Sequence, residues 1–142
     1  MPTSQLKQIQ HLVDVGDTMN VISLLNTMDF HEIAEILNRL TDQKRIIFSL
    51  LSPEIQSEVI IQLTEQSKQI IIPELSIYEC ARILYLNDSD DATDILQHLP
   101  VSKREKVLQK ILEPKRRKIE KLLTFAKNTA GAIMDLNYII VK

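Results

Sequence analysis

The residues best suited to chemistry form one short acidic stretch: Asp88, Asp90, Asp91 and Asp94. On a helix, Asp90 and Asp94 lie one turn apart on the same face, and Asp91 points elsewhere around the first turn. Carboxylates at a helix start can cap free N–H groups and oppose the positive end of the helix dipole. Alternatively, carboxylates with no Lys or Arg nearby in the sequence can bind a hard cation. Mg²⁺ suits such a surface because it accepts one or two carboxylates and keeps several waters.

Removing one of these charges tests the repulsion between Asp90 and Asp94 in the isolated chain. If Asp90 and Asp94 merely repel each other, Asp94→Asn should leave the free energy of unfolding unchanged or raise it by a few tenths of a kcal/mol. Asp90 is nearer the helix start, where its charge also interacts with the dipole, so Asp90→Asn is expected to cost a similar small amount.

Other kinds of reactive or metal site have little support in the sequence. The three histidines are far apart, and none has a Cys or a second His at metal-ligand spacing. Cys80 is the only cysteine, which rules out a disulfide framework, and beside Ala81 we predict that it is a small core residue. Two glycines are too few for a Gly-rich phosphate loop. We therefore predict that the chain is not an enzyme.

The element that must position the acidic stretch belongs to a repeat. An apolar doublet recurs about every twelve residues, followed in most repeats by a further apolar side chain near i+4, and this spacing forms one stripe of an α-helix. The doublets are Leu12-Val13, Leu24-Leu25, Ile36-Leu37, Ile47-Phe48, Val59-Ile60, Ile71-Ile72, Ile83-Leu84, Ile95-Leu96 and Val107-Leu108.

Helix start signals separate the stripes. Asp29 fits an N-cap, and Ser76 with Glu79 and Ser102 with Glu105 fit the capping box. Each repeat therefore predicts a helix of roughly 8–10 residues and a tight turn. Such helices are unstable alone, so their stripes must be covered by neighbouring helices.

The predicted fold class is all-α, a right-handed superhelix or α-solenoid of about ten short helices stacked as antiparallel pairs, with a pair period of about 24 residues. A four-helix bundle is less favoured because bundles need longer helices and fewer breaks. The residues predicted to be buried are Ile36, Leu37, Phe48, Val59, Ile60, Ile71, Ile83, Leu84, Ile95, Leu96 and Leu108.

The end of the chain changes character. Residues 128–132 (NTAGA) are expected to interrupt the helical pattern, and residues 137–141 (NYIIV) are rich in β-branched and aromatic residues, as strands are. A single strand has nothing to pair with, so we predict two regions. Residues 1–127 form the helical domain, and residues 128–142 are a linker and the first strand of a truncated second domain.

Charge and hydropathy argue against two further functional classes, nucleic-acid-binding proteins and membrane-spanning segments. Residues 1–99 hold 6 Lys and Arg against 15 Asp and Glu, a net of −9, whereas residues 100–142 hold 11 against 4, a net of +7. No aromatic side chain interleaves with the cations, so nucleic-acid binding is not expected. No stretch approaches the ~18 apolar residues of a membrane span, and residues 1–10 lack the apolar core of a signal peptide. A cytosolic location fits these features.

Four segments of the chain form an ordered set: residues 29–40 (DFHEIAEILNRL), 54–63 (EIQSEVIIQL), 90–100 (DDATDILQHLP) and 130–134 (AGAIM). In their order and spacing they resemble a known family, the MgtE-type magnesium transporters. There, a cytosolic helical superhelix, the N domain, precedes a pair of CBS modules and the membrane pore. The resemblance covers nearly the whole chain, and its most specific motif is Ala-Gly-x-x-Met, which marks entry into the first CBS module.

The resemblance implies a function and a set of site residues. In this family the N domain docks on the CBS modules when cytosolic Mg²⁺ is high, through Mg²⁺ ions that bridge acidic residues of the two, and this favours the closed pore. By motif position Asp90 and Asp94 correspond to the bridging aspartates, with Asp91 between them. Glu58 corresponds to a further acidic ligand, and Ala132 to a residue that offers its backbone carbonyl.

The same resemblance implies partners and a location. The partners are the CBS modules of the same transporter, in a homodimer at the cytosolic face of the cell membrane, attached only through a transmembrane domain outside this segment. Two alternatives remain open. One is a helical assembly scaffold resembling the flagellar motor switch protein, and the other is a helical scaffold without ion linkage.

Overall fold

The computed structural model describes the backbone of residues 2–135 and the side chains of residues 4–125. Within residues 2–135 the chain forms ten α-helices and one 3₁₀ turn, Ile72–Glu74, and contains no strand. The helices are α1 Pro2–Asp14, α2 Thr18–Leu25, α3 Phe30–Arg39, α4 Lys44–Ser49, α5 Pro53–Ile60, α6 Glu65–Ile71, α7 Ile77–Leu86, α8 Ser89–Leu96, α9 Val101–Leu108 and α10 Lys115–Asp135. The predicted all-α class is confirmed.

The helices stack in the manner of a solenoid. In one row, α1 packs on α3, α3 on α5, α5 on α7 and α7 on α9, and in the other row α4 packs on α6 and α8 packs on α10. Successive helices such as α3 and α4, or α7 and α8, join the two rows. Most of these contacts therefore join helices one or two places apart in the sequence, as a repeat of helix pairs requires.

The core is a continuous strip of aliphatic side chains. All eleven residues predicted to be buried are buried, and so are the i+4 members of the repeat, among them Leu40, Leu63 and Leu99. The stripe of each short helix thus faces its neighbours, and the acidic stretch at the start of α8 is held in place by Ile95 and Leu96 beneath it.

Side-chain caps define where most helices begin. Asp29 and Ser76 form complete capping boxes with Glu32 and Glu79, as the sequence pattern predicted for Ser76. The predicted box at Ser102 is wrong. Helix α9 begins one residue earlier, at Val101 after Pro100, and therefore Ser102 already lies inside the helix.

Side chains of the following helix donate hydrogen bonds to free backbone carbonyls at the ends of α3 and α8. The ammonium of Lys44 donates to the carbonyl of Leu37 at 2.6 Å, at the end of α3. Arg104 likewise donates through Nε to the carbonyl of Leu96 at 3.1 Å, at the end of α8. These long side chains supply partners for carbonyls that a helix cannot satisfy internally.

The carboxyl-terminal helix departs from the sequence prediction. Helix α10 runs without a break from Lys115 to Asp135, so residues 128–132 do not interrupt it, and at 21 residues it is much longer than the predicted helices. The alanines and methionine of this segment favour helix, and one internal glycine costs only about 1 kcal/mol relative to alanine. The predicted strand at 137–141 lies outside the described residues, and the domain boundary near residue 128 stays a prediction.

Replacing Leu96 by Ala should lower the free energy of unfolding by about 2–5 kcal/mol. Leu96 is fully buried, so truncation loses apolar burial and leaves a cavity. Urea denaturation followed by circular dichroism measures the change. Leu112→Ala is the matched control, because Leu112 is 74% exposed and its loss should change stability by no more than about 0.5 kcal/mol. Equal effects of the two substitutions would contradict the predicted core.

The buried thiol of Cys80 should make stability fall in alkaline solution. Burial raises its pKa from 9.0 to about 11, while Lys103 lowers and Glu79 raises the pKa by smaller amounts. Between pH 9 and 11 the unfolded chain therefore releases this proton and the folded chain keeps it. The free energy of unfolding then falls as pH rises, with a contribution approaching about 1.4 kcal/mol per pH unit. Urea denaturation at pH 7, 9 and 10 should show a shallower decline for Cys80→Ala, and identical declines would refute this.

Candidate metal site

The acidic stretch begins α8 as both sequence interpretations require. Asp88 is the N-cap, and its Oδ1 accepts a hydrogen bond from the backbone N–H of Asp91 at 2.9 Å. Asp90 and Asp91 occupy the first turn, and Asp94 follows one turn after Asp90. Capping therefore accounts for Asp88, while the Asp90 side chain is exposed at the surface.

The carboxylates influence one another electrostatically. Burial raises the pKa of the Asp91 carboxyl above its usual range, and the negative charges of Asp88, Asp90 and Asp94 raise it further. A raised pKa means that ionised Asp91 destabilises the fold relative to its protonated form, a cost that grows as pH rises through the carboxylate range. A cation placed near this first turn offsets that cost.

Asp94 already has a cationic partner. Its Oδ2 lies 2.9 Å from Nζ of Lys68 on α6, and the Lys68 side chain is only 12% exposed, compared with 47% for Asp94. The expectation of a cluster without nearby Lys or Arg is therefore wrong. Lys68 comes 26 residues before Asp94, close to the predicted pair period of about 24 residues, so the repeat itself contained the signal that could have found this contact.

A second polar link joins α6 to the turn after α8. His98 in that turn places Nε2 3.0 Å from Oε2 of Glu65, and its Nδ1 lies 2.9 Å from the carbonyl oxygen of Asp94. Glu65 and Lys68 on α6 thus face His98 and Asp94, and the two contacts between side chains set the register of α6 against the end of α8.

Lys115 approaches the other side of the acidic stretch. Its ammonium donates to the carbonyl of Tyr85 at 2.9 Å and to the carbonyl of Asn87, immediately before the Asp88 cap. Burial lowers the pKa of Lys115, and the charge of Asp88 raises it. No local sequence pattern indicates this contact, because Lys115 is 28 residues from Asn87 and sits in a run of four basic residues.

The remaining predicted site residues lie elsewhere. Glu58 is an exposed residue of α5, a helix that packs mainly on α3 and α7. The backbone at Ala132 lies near the carboxyl-terminal end of α10. Within the part of the chain that the structure describes, no three His, Cys, Asp or Glu side chains come together as metal ligands.

The donor set of α8 nevertheless fits Mg²⁺ as half of a site. Asp90 and the exposed part of Asp94 offer only carboxylate oxygens, which are the ligands that a hard cation prefers, and Mg²⁺ needs only one or two of them when water and a second surface supply the rest. The arrangement can attract a hydrated divalent cation but cannot enclose one.

Comparison with known proteins identifies the family. The family model of the MgtE intracellular N domain matches residues 28–128, well over half of the chain. This chain belongs to the MgtE intracellular N domain family. The match confirms the family resemblance and contains three of its four motifs, while residues 130–134 lie beyond the matched range. Among curated proteins, none matches the chain.

A solved structure shows the same fold as this MgtE N domain. It is described as the crystal structure of the soluble part of a magnesium transporter, with a TM-score of 0.70 and 20% sequence identity. The similarity covers 94% of this chain and 53% of that chain, so the MgtE N domain spans about half the length of the solved protein. Within residues 2–135, no helix of the domain has the length and apolar character that crossing a membrane requires.

Asp94→Asn should now lower the free energy of unfolding by about 0.5–1 kcal/mol in the absence of Mg²⁺. The substitution removes the partner of the poorly exposed Lys68 ammonium, which reverses the expectation drawn from like-charge repulsion alone. Asp90→Asn, at an exposed position one turn earlier, should change stability by no more than about 0.5 kcal/mol. Urea denaturation of both variants at low and high KCl is the measurement, and equal effects would show that the Lys68 contact contributes nothing.

Proposed function

We propose that this MgtE N domain senses cytosolic Mg²⁺ and docks on the CBS modules of its own transporter through bridging Mg²⁺, which favours the closed pore. Membership of the MgtE N domain family supports a regulatory role in a magnesium transporter. The observation that carries the ion-sensing part is the start of α8, where Asp90 is exposed in the first turn and the half-exposed Asp94 follows one turn later, with Asp91 between them.

The physical basis is a difference in ion affinity between two states. In the separated state, the carboxylates of α8 offer half of a site and hold a hydrated cation weakly. In the docked state, acidic groups of the CBS modules complete the coordination. Because the ion binds the docked state more tightly, rising Mg²⁺ shifts the population toward docking, and falling Mg²⁺ leaves carboxylates that repel one another.

The proposal gives each predicted residue a role. Asp90 and Asp94 bridge the ion, and Asp91 adds negative charge to the same turn. Glu58 contributes at a separate point of the docking surface, and Ala132 offers a backbone carbonyl. Their spacing in the fold, on α5, α8 and α10, is consistent with several contact points on one extended interface rather than one enclosed centre.

The proposed context follows from the same family. The domain has no enzymatic activity, binds no nucleic acid and acts within a homodimeric transporter at the cytosolic face of the membrane. A transmembrane domain outside this segment provides the membrane attachment. The described part of the chain supports this context through its exposed acidic surface, since docking through a cation requires carboxylates that a partner can reach.

Mg²⁺-dependent protease protection of the segment between the N domain and the CBS modules tests the proposal in the full-length transporter. Protection should rise with Mg²⁺ in the wild type, and the Asp90→Asn and Asp94→Asn variants should need more Mg²⁺ because each loses a bridging carboxylate. Glu74→Gln is the matched control, since Glu74 is an exposed acid in a surface pair with Arg45, away from α8. Identical curves for all four proteins would refute the site assignment.

A further inference from the structure

We propose that Lys68 is a tethered counter-ion that occupies Asp94 when Mg²⁺ is absent and competes with Mg²⁺ for it, so that Lys68 sets the Mg²⁺ concentration at which the domain responds. The inference rests on the proposed function, because it concerns the affinity of the same carboxylates. It adds a residue that lies 26 positions upstream of Asp94 and outside every predicted ligand set.

The position of the ammonium is fixed by its surroundings. Lys68 Nζ lies 2.9 Å from Asp94 Oδ2, and only 12% of the Lys68 side chain is exposed. Helix α6 begins at the Thr64 cap and has Ser67 and Ile71 buried, so the lysine stem starts from a packed element. The cation therefore remains close to Asp94 instead of sampling solvent as a surface lysine does.

The Glu65–His98 contact holds the neighbouring groups. Glu65 on α6 and His98, in the turn directly after α8, meet at 3.0 Å. This contact does not involve Lys68 or the carboxylate of Asp94. This second link lets α6 and α8 stay in register if Lys68 releases Asp94.

Lys68 and Mg²⁺ compete for Asp94 because both are cations and both can reach its carboxylate. A divalent cation at Asp94 either displaces the ammonium or shares the carboxylate with it, and in both cases the positive charge of Lys68 opposes the ion. Asp94 is 47% exposed, so an ion can reach it from the solvent side while Lys68 approaches from α6. Asp90 is exposed and provides the first carboxylate for an arriving ion.

The contact between Lys68 and Asp94 also reduces the charge repulsion within the acidic stretch when no divalent cation is bound. Four carboxylates lie within seven residues at the start of α8. Lys68 on one side and Lys115 on the other, which lies near Asp88, compensate part of that charge. The domain thus carries its own cations for the state in which Mg²⁺ is low.

The chain offers a matched control pair. Arg45 Nη1 and Glu74 Oε1 meet at 2.8 Å, also between side chains about two helices apart, but both are more than half exposed and neither belongs to α8. Replacing Arg45 removes an ion pair and a positive charge without touching the aspartates. Any general effect of net charge on Mg²⁺ binding should therefore appear in Arg45→Met as well.

The test is a Mg²⁺ titration of the 142-residue chain at constant ionic strength, followed by amide NMR shifts of Asp90, Asp91 and Asp94. Lys68→Met keeps most of the apolar stem and removes the charge, and we expect it to lower the Kd for Mg²⁺ roughly fivefold, which corresponds to ~1 kcal/mol. Lys68→Arg should bind Mg²⁺ like the wild type, because it keeps the charge. Arg45→Met should do the same, and circular dichroism verifies that each variant is folded.

The outcomes separate this inference from the proposed function. Tighter Mg²⁺ binding in Lys68→Met alone supports competition. If Asp94→Asn weakens binding while Lys68→Met leaves it unchanged, the metal site stands and the counter-ion role of Lys68 is overturned. If Arg45→Met tightens binding as much as Lys68→Met, the effect is one of net charge and the inference fails. If no variant shifts the α8 amides, the inference also fails, and protease protection in the full-length transporter then decides the proposed function separately.

Discussion

Helix length is the constraint from which most features of this domain follow. Eight of the ten helices in residues 2–135 have between six and ten residues, and a helix this short cannot offset the cost of its own nucleation. The six-residue helix α4 makes fewer than two turns, yet Ile47 and Phe48 on it are fully buried. The stability of such a helix comes from the helices one and two places away, so no element of the solenoid is independent of its neighbours.

Short helices also expose a high proportion of backbone groups at their ends. Each helix has free N–H groups at its start and free carbonyls at its end, and in a two-row stack many of these ends lie near the core. Six helices begin with a side-chain cap. Several ends are covered by long donors, as when buried Lys44 reaches the carbonyl of Leu37 although burial lowers the pKa of its ammonium. Polar residues near the core of this domain thus form hydrogen bonds with the free backbone groups at its many helix ends.

The same helix stacking determines which cations lie near the acidic stretch. Helix α8 packs on α7 and α10, and its side chains also reach α6, so the aspartates meet Lys68 and Lys115 from two directions. An acidic sequence that resembles an uncompensated metal site is therefore partly neutralised within the chain. This difference matters for the proposed function, since the affinity of a proposed half-site for an ion depends on what the ion must displace as much as on the ligands that receive it.

Sequence alone determined the local features, because they depend on residues a few positions apart. The twelve-residue repeat identified an apolar stripe in each of α1 to α9 and all eleven predicted core residues, and Ser76 with Glu79 formed the expected capping box. The motifs also identified the family. Along the chain, Asp90, Asp91 and Asp94 could be placed on the first turns of one helix for the same reason.

Tertiary structure decided the contacts between helices, because these join residues that the local pattern does not relate. The pairing of Lys68 with Asp94 and the reach of Lys115 to the start of α8 span 26 and 28 residues. Glu58 lies on α5, a helix that packs on α3 and α7, although motif position assigned it to the same set of ligands as the aspartates of α8. The unbroken course of α10 through residues 128–132 was likewise missed, because the weak local preference of a single glycine does not end a helix whose other residues favour it.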